Sequence, residues 1–281
     1  MDRRSPRVVL ITGASSGIGQ ACAEHLASQG HRVFGTSRDP AAKQLPYELL
    51  TMDVTDEASV VSAVRTVVEK AGRIDVLVNN AGMGLAGAVE ETSVEEAAAQ
   101  FDVNLFGVLR ACRAVLPPMR AQGSGLIVNV GSLAGTIALP FQAFYCASKS
   151  SLHGVTEALR IEVRPFNIHV TIVDPGDVKT SFPARRRLAA QSDAASPYRT
   201  HLGKTLRVIE SAERDGMPAE CVARVVGRIV RARSPRPRYI VATLGQRLAM
   251  LGRWLLPAAV CEWLLRAYLA RRMRKMTRED Q

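Results

Sequence analysis

The chain is expected to fold as a doubly wound α/β protein, a parallel sheet with helices on both faces. Three observations carry that expectation. Short apolar, β-branched runs alternate with helical stretches over about 175 residues. The strand runs are continuously apolar, as strands covered on both faces must be. A glycine-rich turn, Thr12 to Gly19, stands between the first strand and the first helix. Sheets of this kind bind their ligands at the carboxyl ends of the strands.

The elements follow in order. "RVVLITG" is a buried strand ending at glycine, and "GIGQACAEHLASQG" is a helix with a terminal glycine as its stop. "HRVFGTSR" is a second strand, and "YELLTMDV" a third, ending at Asp53. "DEASVVSAVRTVVEKAG" is an amphipathic helix capped by Asp56 or a neighbour. "RIDVLVNNAG" is a fourth strand, Ser93 to Gln122 a long helical stretch, and "GLIVNVGS" a fifth strand. Tyr145 to Arg164 is helical, and "IHVTIVDPG" is a sixth strand. Beyond Lys179 the pattern loosens. Helical stretches run from Pro197 to Asp215 and Pro218 to Ala232, a short strand lies near Tyr239 to Ala242, and two apolar helices close the chain.

Hydrophobic residues at 47% and charged residues at 22% fit a packed core, and 281 residues suffice for one large domain. Residues 1–243 are expected to form a single dinucleotide-binding and catalytic domain, with a helical substrate lid at about 181–215. Residues 244–281 read as a basic amphipathic helical extension. Cys22, Cys112, Cys146, Cys221 and Cys261 form no CxxC pair and no histidine-bearing ligand set. Free thiols in a reducing compartment, and no metal, are therefore expected. The N-terminal apolar run, Val8 to Ile11, is too short for a signal peptide, which points to the cytoplasm.

The net charge is +11, and from Arg231 onward twelve Arg and Lys stand against Glu262, Glu279 and Asp280. A basic tail can meet nucleic acid or an anionic membrane, or can simply be a solvated arginine-rich face. No nucleic-acid partner is expected.

In "TGASSGIG", Gly13, Gly17 and Gly19 let the backbone turn tightly and approach a pyrophosphate. The first helix then offers its positive end. Ser15, Ser16 and Ile18 belong to the same cradle. At the end of the second strand an NAD-binding chain places an acid for the ribose 2′-OH. Here Ser37 stands in that place and Arg38 follows, and a guanidinium matches a phosphate. NADP(H) is therefore favoured over NAD(H), although Asp39 would reach the ribose if the loop were shifted.

"TGASSGIG", "NNAG" (Asn79 to Gly82), Asn104, Ser132, "YCASK" (Tyr145 to Lys149) and "PGDVKT" (Pro175 to Thr180) occur in one order over residues 7 to 182. That set resembles the short-chain dehydrogenase/reductase family, most closely the estradiol 17-beta-dehydrogenase type 1 and retinol dehydrogenase branch. The resemblance implies a Rossmann-type fold and an oxidoreductase, with Asn104, Ser132, Tyr145 and Lys149 as the catalytic set. It implies that Asn104 supports a water leading to Lys149, and that Lys149 also binds the nicotinamide ribose. Asp53 and Val54 would contact adenine. Asn79, Ala81 and Gly82 would shape the adenosine side, and Pro175, Gly176, Val178 and Thr180 would hold the nicotinamide. A homodimer or homotetramer, built on the surface that includes the Tyr145 helix, is also implied.

The residues support that chemistry independently. A hydride moved at a carbinol carbon needs a proton moved at its oxygen. Tyrosine is a good donor but a poor base near neutrality. A lysine one helical turn on shares its face and favours phenolate. Ser132, at the carboxyl edge of the fifth strand, can hold the substrate oxygen. The histidines are scattered, and His153 is expected to be structural or at a subunit contact.

Phe182, Tyr198 and Leu202 are expected to line an apolar pocket, with Leu85, Leu139, Pro140 and Phe141 at its entrance and Arg185 to Arg187 facing an acidic group or solvent. A small hydrophobic ketone or aldehyde and its alcohol follow as the substrate pair, whether steroid-, retinoid-, acyl- or polyketide-like. A non-catalytic NADPH-binding sensor or partner-binding protein is the alternative. In the final helices, Leu248, Leu251 and Leu255, then Val260, Trp263, Leu264 and Tyr268, recur at helical spacing before Arg271, Arg272, Arg274 and Lys275. Three roles stay open for them: peripheral membrane contact, covering the cleft, and packing against a second subunit.

Overall fold

The computed structural model describes residues 6–40 and 44–279. The basic start of the chain, residues 1–5, and the side chain of Lys275 lie outside that description. Seven strands form one sheet: β1 (Val8–Ile11), β2 (Arg32–Ser37), β3 (Glu48–Thr51), β4 (Val76–Asn79), β5 (Gly125–Val130), β6 (Ile168–Pro175) and β7 (Arg238–Val241). Every pairing is parallel, in the order β7-β6-β5-β4-β1-β2-β3. The chain winds outward from β1 to β3, then returns to the other side of β1. A crevice therefore opens at the carboxyl ends of β1 and β4, the switch point of such sheets.

Period-two side-chain alternation divides the core. Val9, Ile11, Val78 and Val128 face one layer, and Val8, Leu10, Leu77 and Ile127 the other. The helices are α1 (Gly17–Ser28), α2 (Glu57–Ala71), α3 (Val94–Phe101), α4 (Gly107–Gln122), α5 (Ala143–Glu162), α6 (Arg199–Arg214), α7 (Ala219–Arg231), α8 (Leu244–Leu255) and α9 (Ala258–Glu279). Helices α1 and α7 cover the first layer, and α2, α4 and α5 the second. Asp56 caps α2 by accepting the Ala58 N–H at 2.9 Å.

Two expectations change. The stretch from Ser93 to Gln122 is not one helix, because a π turn, Asp102–Phe106, separates α3 from α4. Its Asn104 side chain is bonded to Met83 instead of to its own helix. The Tyr145 helix begins two residues early, after Phe141 takes a left-handed φ of 63° and its carbonyl accepts the Gly87 N–H.

Two polar links fix α5 on the sheet. Asn79 Nδ2 donates to Asn129 Oδ1 at 2.9 Å, and Asn129 Nδ2 donates to Thr156 Oγ1 at 2.9 Å. This ladder joins β4, β5 and α5, and all three residues are buried. The second link is Asp174, fully buried on β6. His153 of α5 lies 3.0 Å from its Oδ1, and Arg238 of β7 donates to Oδ2 at 2.5 Å. His153 is thus structural.

Asn129→Ala is expected to destabilise the protein by roughly 1–3 kcal/mol, because it takes a hydrogen-bond partner from each of two buried polar groups, Asn79 and Thr156. Urea unfolding measures this, and an unchanged midpoint would remove the ladder from the account.

Candidate active site

One continuous cavity of about 1460 Å³ follows the carboxyl edge of the sheet. At one end lie Ser37, Arg38, Asp53 and Val54, and at the other α6, α8 and α9. Gly13, Ser15, Ser16, Gly17 and Ile18 form its floor where α1 begins. Gly13 has φ 65° and Gly17 φ 57°, both left-handed. A Cβ on Gly13 would also come within 2.9 Å of the Ala81 backbone. Only glycine meets both demands. Ser16 flanks α1, yet its hydroxyl caps no N–H of the first turn. An open helix N-terminus beside a glycine turn fits a pyrophosphate.

Asn80 shapes this floor. Its side chain donates to the carbonyls of Thr12 and Gly13, each at 3.0 Å, while the Thr12 hydroxyl accepts the N–H groups of Asn80 and Ala81. The expectation for Asn79 therefore fails. Its side chain faces Asn129 inside the core, and its neighbour Asn80 lines the cavity. The alternation along β4 is the signal that separates the two. Gly19 lies behind the floor, where any Cβ would collide with the Gly13 carbonyl and Asn80.

At the outer end, Ser37 Oγ donates to the Asp39 carbonyl at 3.0 Å and lies 3.3 Å from Ser15 Oγ. Arg38 is exposed on the cavity wall. Burial opposes the charge on Asp53. The N–H and hydroxyl of Thr55, with Arg38 and Arg110 nearby, still hold its carboxyl below the usual range.

The candidate reactive centre is built on α5 and the end of β5. Lys149 is 6% exposed, and its Nζ donates to the Val130 carbonyl at 2.8 Å. Burial pushes its pKa down to about 8, against the pull of Asp174. Tyr145 stands one turn earlier. Burial lifts its pKa to about 12, the Ser132 hydroxyl within hydrogen-bonding reach opposes this, and Glu213 adds to it. Ser132 in turn accepts the Ala134 N–H at 3.1 Å. The structure thus brings Ser132, Tyr145 and Lys149 together around one space, with Gly82, Pro175, Gly176, Val178 and Thr180 on its walls. The arrangement suits proton donation to an oxygen lying between Ser132 and Tyr145.

Asn104 is fully buried behind that wall. Its Oδ1 accepts the Met83 N–H at 2.9 Å, and its Nδ2 donates to the Met83 carbonyl and to Ser148 Oγ, each at 3.1 Å. Ser148 passes the link to α5 by donating to the Tyr145 carbonyl at 2.8 Å. A Cβ on Gly82 would lie 3.3 Å from Asn104 Oδ1 and 4.0 Å from Lys149 Nζ, so the two side chains flank that glycine. Met83 and Ser148 carried no recognisable signal in the sequence.

Of the expected pocket, Phe182 and Leu139 line the cavity. Phe182 lies 5.8 Å from the Tyr145 ring. Leu202 instead joins Ala86, Leu206 and Phe141 in a small separate core, with Tyr198 against Phe141. The arginines divide too. Arg185 donates to Ser16 Oγ at 2.9 Å, so the lid reaches the phosphate floor. The Arg186 side chain is 2% exposed, and its Nη2 donates to both carboxylate oxygens of Glu213. The substrate end also carries Asp177 and Glu213, and burial raises both carboxyls. The final helices cover the cleft: Leu256, Leu264, Leu265 and Leu269 face it.

The short chain dehydrogenase family matches residues 7–191. The chain is 40% identical over 265 residues to the 3-ketodihydrosphingosine reductase of Bacteroides thetaiotaomicron, covering 94% of this chain and 98% of that one. It is 38% identical over 255 residues to human 17-beta-hydroxysteroid dehydrogenase type 1, covering 83% and 76%. A short-chain dehydrogenase/reductase from Burkholderia phymatum, solved in complex with NAD, superposes with a TM-score of 0.76 at 28% identity over 91% of this chain and 96% of that one.

Gly13→Ala is expected to weaken dinucleotide binding by about 10–100-fold, the equivalent of the strain of a left-handed non-glycine residue. Calorimetric titration measures it, and an unchanged affinity would contradict the role given to this turn.

Proposed function

This chain belongs to the short-chain dehydrogenase family, and we propose that it is an NADP(H)-dependent reductase of a hydrophobic ketone. The same site would oxidise the alcohol. One observation carries the reading: Tyr145, beside Ser132 and one turn from buried Lys149, opens on the same cavity as the phosphate floor.

The dinucleotide supplies the hydride when bound; the remaining work falls to the chain. Ser132 donates a hydrogen bond to the carbonyl oxygen as negative charge gathers there. Tyr145, kept protonated by its raised pKa, gives that oxygen a proton. The Lys149 ammonium stabilises the phenolate left behind. Asn104 Oδ1 has a second lone pair with which to hold a water toward Lys149. A non-catalytic sensor of NADPH would have no use for this set.

Ser37 and Arg38 at the end of β2 support NADP(H). The serine presents no competing carboxylate, and the guanidinium faces the cavity where a 2′-phosphate would lie. The likeness to 3-ketodihydrosphingosine reductase over nearly the full length of both chains supports a long-chain 2-amino ketone among the hydrophobic candidates. Apolar side chains from α8 and α9 suit its tail, and the cavity-lining carboxyl of Asp177 suits its ammonium. That substrate assigns the protein to lipid metabolism.

Residues 1–243 would carry the chemistry and 244–281 would close the site. We place the protein in the cytoplasm, with peripheral membrane contact through its last helices. Among the described residues no helix is long and apolar enough to cross a membrane. Exposed Leu109 on α4, with Val155 and Ile161 on α5, supports a homodimer or homotetramer built on that face.

Tyr145→Phe is expected to lower kcat for NADPH-dependent ketone reduction by roughly 10²–10⁴-fold while NADPH binding persists. Equal turnover by both proteins would remove Tyr145 from the mechanism. Arg38→Ala should raise the KM for NADPH by about 10–100-fold, as loss of a charged hydrogen bond does, and leave that for NADH nearly unchanged. Parallel changes would refute the NADP(H) preference. Lys149 holds its charge below about pH 8 and loses it above. The kcat/KM for NADPH, which reports the free enzyme, should therefore fall as pH rises through that value. A profile flat to pH 10 would contradict this.

A further inference from the structure

The chain exposes its apolar side chains unevenly. Among the described residues, ten of the nineteen large apolar side chains that stand exposed fall between Leu244 and Tyr268. On α8, Leu244, Leu248, Leu251 and Leu255 recur at spacings of four, three and four, and are 54–74% exposed. On α9, Val260, Trp263, Leu264 and Tyr268 form a second stripe. Both tryptophans of the chain are here, Trp254 at 75% and Trp263 at 66% exposure. A soluble surface rarely gathers so much apolar side chain in one place without an occupant.

Charge identifies the occupant. From Leu244 to Arg274 there are six arginines and one acid, Glu262, which pairs with Arg266 at 3.8 Å. Arg271 and Arg274 are exposed beyond the stripe. Tryptophan and leucine beside arginine suit a membrane interface with anionic headgroups. A second copy of the chain is a poor fit, because it would bring the same arginines against these and each copy carries a net +11.

The patch is also continuous with the catalytic cavity. Leu248, Leu256, Leu264 and Tyr268 are each 39–59% exposed, yet each also lines the cavity. The mouth of the cavity therefore opens within the apolar patch.

We propose that the α8–α9 pair lies in the headgroup region of an anionic bilayer and that its mouth passes the substrate from the bilayer to Tyr145. The passage of substrate rests on the hydrophobic-ketone reading; the docking does not.

The test uses the full chain with vesicles of phosphatidylcholine alone, or of phosphatidylcholine mixed with phosphatidylglycerol. Because both tryptophans sit in the patch, the whole tryptophan emission reports it. Anionic vesicles should shift that emission to shorter wavelength and float the protein, and raised salt should weaken both effects. The double variant Trp254→Gln/Trp263→Gln should lose flotation but keep its rate on a short water-soluble ketone. It should also slow on a long-chain ketone held in vesicles. No flotation and no shift with anionic vesicles would overturn the docking. So would a light-scattering mass that falls to the monomer in the double variant with no vesicle binding, which would give the patch to a second copy. Flotation with equal rates of both proteins on the vesicle-held ketone would overturn the passage of substrate. Should neither protein reduce any ketone, the reading as a reductase fails, while flotation still decides the docking.

Discussion

A lysine amine enclosed by protein is the constraint on which this structure turns. Lys149 Nζ has the Val130 carbonyl as its hydrogen-bond partner, and buried Asp174 lies close enough to act on its charge. Burial cuts its pKa from 10.5 to about 8, while a protein that exposed this amine would leave it near 10.5. The sign of the linkage is definite. Below about pH 8 both folded and unfolded chains carry the proton, and the fold bears the whole penalty of the buried charge, roughly 3 kcal/mol. Between about 8 and 10.5 the unfolded chain binds more proton, so that deficit shrinks as pH rises. The role proposed for Tyr145 requires the amine to stand beside it. The surrounding links serve that placement. The Asn79–Asn129–Thr156 ladder holds α5 to the sheet, and the Asp174 cluster holds it again a turn earlier. The π turn brings Asn104 against Ser148.

Much of this was legible in the sequence because it is local. Glycines at 13 and 17 stand where the backbone must turn left-handed, and the spacing of Tyr145 and Lys149 on one helix gives their shared face. The parallel sheet covered on both faces followed from continuous apolar runs. The missed features are all contacts between distant residues. Nothing local says that the helical stretch from Ser93 to Gln122 contains a π turn, whose Asn104 is bonded to Met83, further back in the chain. Nothing in "ARRR" says that Arg185 reaches Ser16 while Arg186 is buried against Glu213. Asn79 is the exception, because strand alternation alone distinguishes it from Asn80.

Under the proposed docking, the final helices would serve two solvents. Their inner faces complete an apolar cavity that the sheet alone leaves open, and their outer faces remain apolar instead of turning polar. Leu248, Leu256, Leu264 and Tyr268 belong to both surfaces. A lid with that character suits a substrate poorly soluble in water. The buried lysine and the apolar mouth are then two parts of one arrangement, with charge held dry at the bottom and hydrocarbon continuity at the top.

The most direct test of the central claim is the titration of Lys149 itself. Lys149 is one of six lysines, so lysine-selective isotope labelling gives few resonances, and the Lys149→Arg variant assigns the one that matters. Heteronuclear NMR across pH 6–11 should show that resonance titrating near pH 8, apart from the others. A midpoint near the ordinary 10.5 would mean that the amine is solvated, and the account of Tyr145 built on its burial would fall.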